Sequence, residues 1–206
     1  IYILHIVLIY LLLFFSVSSI AFLEFKTNIL LNNKNINFAL IIIIFIFLLI
    51  FIGLRYQVGG DWGNYIINYV NDNEIGKKII SLNRETGFLL INYLSNLGMG
   101  KIYFVNIFCG FLFSLALIRF CTSMPFPWLG LMISVPYLIT VVALGYVRQS
   151  ISISIFMISL VALKNNKEYR YYLYNLLGVT FHMSSIFVIP IAFFKKKKFK
   201  LSKLIL

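Results

Sequence analysis

The sequence has few charged residues for its length, and this scarcity excludes an ordinary soluble domain. Of its 206 residues, 12% are charged and 61% are hydrophobic. Soluble domains carry about 25% charged and about 45–50% apolar residues. Residues 36–54, 102–118 and 128–145 each run for about 17–20 positions with little or no charge, which is the length that crosses the hydrocarbon core of a bilayer. The chain is therefore predicted to be an integral membrane protein.

Cysteine and histidine are also scarce, with two of each. Cys109 and Cys121 fall on one predicted helix, and twelve steps of about 1.5 Å put them about 18 Å apart, beyond disulfide reach. His5 and His182 have no Cys or His neighbour at the spacing of metal ligands. We therefore expect no disulfide, no metal and no cofactor.

Acidic residues number six against eighteen Lys and Arg, which gives a formal net charge of +12. Such a surplus often indicates nucleic-acid binding. Here the positive residues lie between hydrophobic segments or directly after one, where anionic headgroups and the positive-inside bias account for them. We expect membrane lipids as partners and no nucleic acid.

The hydrophobic runs predict an all-α polytopic bundle with about six membrane segments, and we expect a single transmembrane domain over residues 1–206. The chain begins with Ile and ends in a short apolar run, so we expect it to be incomplete at both ends. The predicted segments are 2–23, 36–54, 101–121, 128–145, 149–163 and 171–194.

One long polar stretch, residues 55–100, separates the second and third segments and carries four of the six acidic residues. Its later part, 87–97, is apolar but too short to span a bilayer. We expect that part to be helical and to lie in the membrane interface or against the bundle.

The sixth segment has two alternative courses, which decide the orientation of the protein. Its 24 residues would reach about 36 Å as one helix, which favours a straight span. A re-entrant hairpin with its tip near His182 would instead have two arms of about 16 Å and a tip inside the membrane.

For a straight span, twelve of the eighteen Lys and Arg share the face of the long loop, which the positive-inside rule then places in the cytoplasm. For a hairpin, the last six Lys change sides and the orientation inverts. Either course places Arg55, Asp61, Glu85 and Arg148 on one face, because two spans separate the second segment from the fifth.

The second segment ends with a cation and a carboxylate on either side of a glycine pair: Arg55 and Asp61 flank Gly59 and Gly60. This arrangement allows the loop to fold back on itself. The simpler interpretation is an interfacial cap, in which Arg55 extends toward the headgroups and the glycines make a turn.

Arg148 opens the fifth segment and shares a helix face with Ser152. It fits a polar groove, or simply a headgroup anchor above small packing residues. His182 lies within an apolar run, where an ionisable side chain usually faces a cavity or a partner; the alternative is a neutral His with one interhelical hydrogen bond. Glu85 by itself is typical of a solvated loop charge.

Taken in order, the polar motifs are Arg-x-x-x-Gly-Gly-Asp-x-x-x-Tyr after the second segment, Glu-x-Gly-Phe in the loop, Gly-Tyr-x-Arg-Gln before the fifth segment and Phe-His-x-Ser in the sixth. This series resembles the EpsG-like, Wzy-type family of bacterial polysaccharide polymerases, over about residues 10–195. The resemblance implies a multi-pass protein of the bacterial cytoplasmic membrane that takes part in exopolysaccharide, capsule or O-antigen biosynthesis.

The resemblance further implies an enzyme, a membrane glycosyltransferase, that joins oligosaccharide repeats carried on a polyprenyl diphosphate at the outer face of the membrane. Other polysaccharide-assembly proteins are its expected partners. Arg55 and Arg148 suit the diphosphate, because guanidinium binds phosphate in a bidentate way. His182 is the first candidate for the catalytic base, followed by Asp61 and Glu85. The expected supporting residues are Tyr65, Tyr146, Gln149 and Ser184.

Three alternatives remain open. A flippase or transporter of lipid-linked saccharides would use arginines and a polar groove without a base. A non-catalytic component of a polysaccharide export complex would use His182 and Asp61 only for packing or capping. A membrane acyltransferase would also place a His within the bilayer, although the rest of that pattern is missing from the sequence.

Overall fold

The computed structural model describes residues 2–27, 34–60, 62–63, 85–97 and 101–196, and in these ranges it contains helices and turns but no strand. Four of the described helices are long and apolar enough to cross a membrane by length and composition: Leu8–Lys26, Asn35–Gly53, Ile102–Cys121 and Val147–Lys164. The prediction of an all-α membrane protein is confirmed. Two shorter apolar helices lie within the fourth predicted segment, at Pro127–Ala143, and in the second half of the sixth, at Met183–Phe194.

We number the helices in chain order. They are α1 (Tyr2–Thr27), α2 (Lys34–Gly53), α3 (Thr86–Asn96), α4 (Lys101–Cys121), α5 (Pro127–Ser134, continued by a π-helix at Val135–Ala143), α6 (Val147–Lys164), α7 (Glu168–Val179), a 3₁₀-helix (Met183–Val188) and α8 (Ile191–Lys196).

Helices α4 and α6 form the centre of the bundle. About half of the residues in each are buried, against about a fifth in α1 and α2. Helix α4 packs against α2, α3, α5 and α6, and its Phe113 and Leu117 are completely enclosed. Helices α1 and α2 leave most of their apolar surface outward, as expected of helices that face lipid.

The fourth segment is not a uniform α-helix, because it widens into a π-helix from Val135 to Ala143. Pro136, at the start of this stretch, has no backbone N–H, and its ring clashes with the carbonyl of the preceding turn in a regular α-helix. An extra residue in the turn relieves that clash. The widened end of the segment lies beside the polar loop that follows α2.

A buried carboxylate holds the other end of the same segment. Glu24, near the end of α1, is 1% exposed and accepts a hydrogen bond from the backbone N–H of Trp128 at 3.0 Å. The Trp128 indole N–H donates to the side-chain oxygen of Asn37 at 2.9 Å. A carboxylate at a helix N-terminus satisfies free N–H groups and favours the helix dipole, so this cluster links α1, α2 and α5.

The sixth segment reverses direction at its middle. Helix α7 ends at Val179, His182 is extended (φ −157°, ψ 125°), and the chain returns through the 3₁₀-helix and α8. The Tyr171 hydroxyl, in the first turn of α7, donates to the carbonyl of Val188. The rings of Tyr172 and Phe193 lie 6.4 Å apart between centroids. The straight helix that length favours is therefore wrong, and the segment forms the hairpin of the alternative course.

Buried polar side chains of α6 fix both arms of this hairpin. The Asn175 amide donates to the Ser159 hydroxyl at 3.0 Å, and the Ser152 and Ser185 hydroxyls are hydrogen bonded to each other. All four side chains are buried. Interhelical hydrogen bonds in membranes contribute about 0.6 kcal/mol each, so the serines of the fifth predicted segment hold the hairpin in register rather than only filling small packing sites.

The hairpin predicts a cross-link that a straight helix forbids. We expect the pair Tyr172→Cys and Phe193→Cys, in the full-length protein with Cys109 and Cys121 replaced by Ala, to form a disulfide under mild oxidation. In a straight helix the two positions would lie about 32 Å apart. Peptide mass mapping of the oxidised protein measures the bond. The pair Tyr172→Cys and Met183→Cys is the control, because these positions lie about 16 Å apart in a straight helix, and in the hairpin about 10 Å of α7 separates Tyr172 from Val179, where the tip begins. No 172–193 disulfide would contradict the hairpin.

Candidate functional site

Three ionisable side chains from distant parts of the chain meet at the tip of the hairpin. Glu85 precedes α3, Arg148 lies in the first turn of α6, and His182 occupies the reversal. The Arg148 guanidinium donates through Nη1 to Glu85 Oε2. Glu85 Oε1 lies 3.3 Å from Nδ1 of His182. One carboxylate thus contacts a cation through one oxygen and an imidazole through the other.

The carboxylate is the most enclosed member of this triad of Glu85, Arg148 and His182. Its side chain is 18% exposed, against 38% for Arg148 and 34% for His182. A ligand arriving from outside therefore meets the guanidinium and the imidazole before it meets Glu85. Partial burial also strengthens the attraction between the charges, because the effective dielectric constant falls.

The backbone at Glu85 takes a conformation that is unusual for this residue type. Its φ of 73° and ψ of 39° are left-handed, which costs a residue with a side chain about 1–2 kcal/mol. Two residues later the Gly87 N–H donates to the carbonyl of Thr180 at 2.9 Å. A Cβ at Gly87 would lie 2.6 Å from Thr180 Oγ1 and 3.0 Å from the Phe181 ring. The absence of a side chain at Gly87 thus lets the hairpin tip dock on the start of α3.

Helix α3 is anchored to the bundle by its buried face. Phe88 and Ile91 pack with Val105 and Cys109 of α4 and with Ile151 of α6. The helix Thr86–Asn96 therefore lies against the bundle. This packing fixes the position of Glu85 relative to Arg148, because α3, which follows Glu85, and α6, which carries Arg148, belong to the same cluster.

Arg55 is not part of the triad. It is 6% exposed, and its Nη1 donates to the carbonyls of Ala143, at 2.8 Å, and Leu144. Its Nη2 donates to Oδ1 of Asn106 on α4 at 3.2 Å. The π-helix ends at these two carbonyls, so the guanidinium binds backbone groups at the terminus of a helix, where positive charge is favoured. That Arg55 binds a diphosphate stays a prediction.

The loop after α2 lies directly against the residues that lead to Arg148. Gly59 has a φ of 100°, and a Cβ there would lie 2.5 Å from the carbonyl oxygen of Leu144 and 2.8 Å from Cα of Gly145. Only glycine combines this backbone conformation with so close an approach. Arg55 and Gly59 together hold the chain just before α6, and therefore hold the position from which Arg148 extends.

The remaining predicted residues are placed as follows. Tyr146 and Ser184 are exposed, and Gln149 is half-buried beside Arg148 in α6. Asp61 and Tyr65 lie outside the described residues. Within the described part of the chain, no group of three or more His, Cys, Asp or Glu is arranged to hold a metal ion.

The chain matches a known protein family over the region that contains these residues. The sequence model of the EpsG family matches residues 38–206, which is most of the chain and includes all five predicted catalytic and diphosphate-binding residues. The chain belongs to the EpsG family. It is accordingly a membrane protein of polysaccharide biosynthesis. Searches of curated proteins and of solved structures found no match.

Four residues around the site of this EpsG family member were missed as site residues by the sequence analysis: Gly87, Asn106, Thr180 and Ser185. Gly87 belongs to the Glu-x-Gly-Phe motif, so the sequence shows its spacing to Glu85 but not its contact with the hairpin tip. Asn106 is a lone amide in an otherwise apolar segment, and such residues usually have a partner inside the bundle. Thr180 and Ser185 flank His182, and their contacts follow only from the reversal of the chain.

Docking of the hairpin tip predicts a large effect of one methyl group. We expect Gly87→Ala to destabilise the protein by about 1–3 kcal/mol, because the new Cβ overlaps Thr180 and Phe181. Gly63→Ala is the matched control, since a Cβ there meets nothing within 4 Å. Thermal unfolding of the two purified variants in detergent measures the difference. Equal melting temperatures would show that the tip does not rest on α3.

Proposed function

We propose that the protein is a polysaccharide polymerase, which transfers a growing oligosaccharide from a polyprenyl diphosphate to a hydroxyl of the next lipid-linked repeat. The observation that carries the proposal is the contact of Glu85 with both Arg148 and His182. It supplies a cation for a diphosphate and an oriented imidazole for a hydroxyl within one cluster. Membership of the EpsG family supports the same pathway.

His182 suits the base because of the ring nitrogen that Glu85 contacts. A carboxylate that accepts from Nδ1–H fixes the neutral tautomer in which Nε2 carries a lone pair. Nε2 then takes the proton of the acceptor hydroxyl, and the carboxylate stabilises the imidazolium that forms. Glu85 itself is less suited to be the base, since each of its oxygens already has a partner.

Arg148 suits the leaving group. As the acceptor oxygen bonds to the anomeric carbon, the bond from that carbon to the diphosphate oxygen breaks, and its electron pair leaves with the diphosphate. A guanidinium at that oxygen stabilises the charge that develops. Arg55, buried against the carbonyls of Ala143 and Leu144, would then support Arg148 by fixing the backbone before α6.

The hairpin also bears on the side of the membrane at which the reaction takes place. Tyr172 and Phe193 lie together, so the described part of the chain ends on the side where the hairpin began. The charge tally of the sequence for a hairpin then applies, in which the six Lys between 195 and 203 count with Lys164, Lys167 and Arg170. The division is then twelve positive residues on that face and six on the face of Glu85 and Arg148. By the positive-inside rule the triad faces outward, which agrees with polymerisation at the outer face of the bacterial cytoplasmic membrane.

We expect His182→Gln and Arg148→Gln each to lower the yield of long polymer by about 100-fold or more, since each removes a group used in the transition state. The full-length gene is deleted in its host and restored as wild type or variant. Surface polysaccharide is sized by gel, and lipid-linked repeats are identified by mass spectrometry. Single repeats should accumulate on their lipid carrier at the outer leaflet.

Arg119→Gln is the control for a lost cation, because Arg119 is exposed at the opposite end of α4. This variant should make normal polymer. Repeats trapped at the inner leaflet in the two site variants would instead indicate a flippase. Normal polymer in both would indicate a non-catalytic component, in which His182 and Arg148 only pack or cap.

A further inference from the structure

We propose that Glu85 competes with the lipid-linked diphosphate for Arg148 and that, once displaced, it holds His182 alone. Binding of the sugar donor would then itself prepare the base. This inference rests on the proposed function, and it adds a coupling between the two halves of the site: the cation that receives the donor and the imidazole that activates the acceptor share one carboxylate.

The competition follows because one carboxylate contacts both Arg148 and His182. Oε2 of Glu85 accepts from the Arg148 guanidinium, while Oε1 lies 3.3 Å from His182 Nδ1. Glu85 thus shares one negative charge between two partners, and loss of the arginine contact would leave that charge to the imidazole alone.

The diphosphate is the stronger ligand of the two for this guanidinium. A diphosphate diester carries about two negative charges, whereas a carboxylate carries one, and a guanidinium binds phosphate oxygens in a bidentate way. Arg148 is also the more exposed member of the ion pair, at 38% against 18% for Glu85. The ligand therefore reaches Arg148 first, and Glu85 is the partner that gives way.

The position of the main chain limits where the Glu85 side chain can move once it leaves Arg148. The Gly87 amide is hydrogen bonded to Thr180 at 2.9 Å, and Phe88 is buried in the bundle. The main chain at Glu85 is thus fixed beside the hairpin tip, and only the side chain is free to rotate. A carboxylate released from Arg148 consequently stays within reach of His182.

The chemical consequence is a stronger hydrogen bond from Nδ1–H of His182 to Glu85 during the transfer step. Nε2 accepts the proton from the acceptor hydroxyl, the hydroxyl oxygen bonds to the anomeric carbon, and the diphosphate leaves with the electron pair. The positive charge gained by His182 is then balanced by Glu85, and the negative charge gained by the diphosphate is balanced by Arg148. Glu85 is accordingly a positioning residue that touches the base rather than the substrate.

The signature of this exchange is an opposite effect on binding and on turnover. We expect Glu85→Gln to lower KM for the lipid-linked repeat about threefold, since the carboxylate that competes for Arg148 is removed, and to lower kcat about 100-fold, since the base loses its support. The full-length protein in lipid vesicles is assayed with purified lipid-linked repeats. Glu168→Gln, which removes a carboxylate at the far end of the hairpin, should change neither parameter.

A second measurement separates this inference from the proposed function. Binding of inorganic pyrophosphate to the full-length protein should tighten about threefold in Glu85→Gln and weaken in Arg148→Gln, whether or not polymer forms. Unchanged or weaker binding in Glu85→Gln overturns the competition, as does a polymerase in which Glu85→Gln raises KM. A wild-type protein that makes no polymer overturns the proposed function, and with it the step in which Glu85 supports the base.

Discussion

The carboxylate of Glu85 joins parts of the chain that lie 63 and 97 residues apart, because it contacts Arg148 through one oxygen and His182 through the other. Neither contact is available from one helix alone. Glu85 must lie beside the start of α6, and the sixth segment must turn back instead of crossing. The rest of the described structure can be understood as the means by which these two conditions are met.

Buried polar groups meet both conditions together with the apolar packing of α3 against α4 and α6. A membrane offers little apolar driving force between helices, so hydrogen bonds and close backbone contacts decide how helices associate. Arg55 binds the carbonyls at the end of the π-helix. Ser152 and Ser159 bind the two arms of the hairpin, and the Gly87 N–H donates to the carbonyl of Thr180 at its tip. An unpaired polar group at this depth would cost several kcal/mol, so each such contact restricts the alternatives strongly.

The sequence was sufficient for the class of fold and for the family, but not for the geometry of the candidate site. Long uncharged runs identify helices of membrane length, and the EpsG family assignment followed from the order of the polar motifs. The course of the sixth segment did not follow, because a largely apolar stretch of 24 residues satisfies the length of a span. In the described residues, contacts such as those of Tyr171 with Val188 and of Ser185 with Ser152 specify the reversal, and these partners become neighbours only in the folded chain. The bonds of Arg55 to Ala143 and Leu144 could not be predicted either, since they depend on carbonyls that the π-helix leaves available.

The most direct test is an electron cryomicroscopy structure of the full-length protein in lipid, at a resolution that resolves side chains. We expect a chain that reverses at His182, with the Glu85 carboxylate between the Arg148 guanidinium and the His182 imidazole. A continuous helix through residues 168–194 would contradict it. His182 would then lie in the middle of a span with no contact to Glu85, and the coupling of base and cation would have no physical basis.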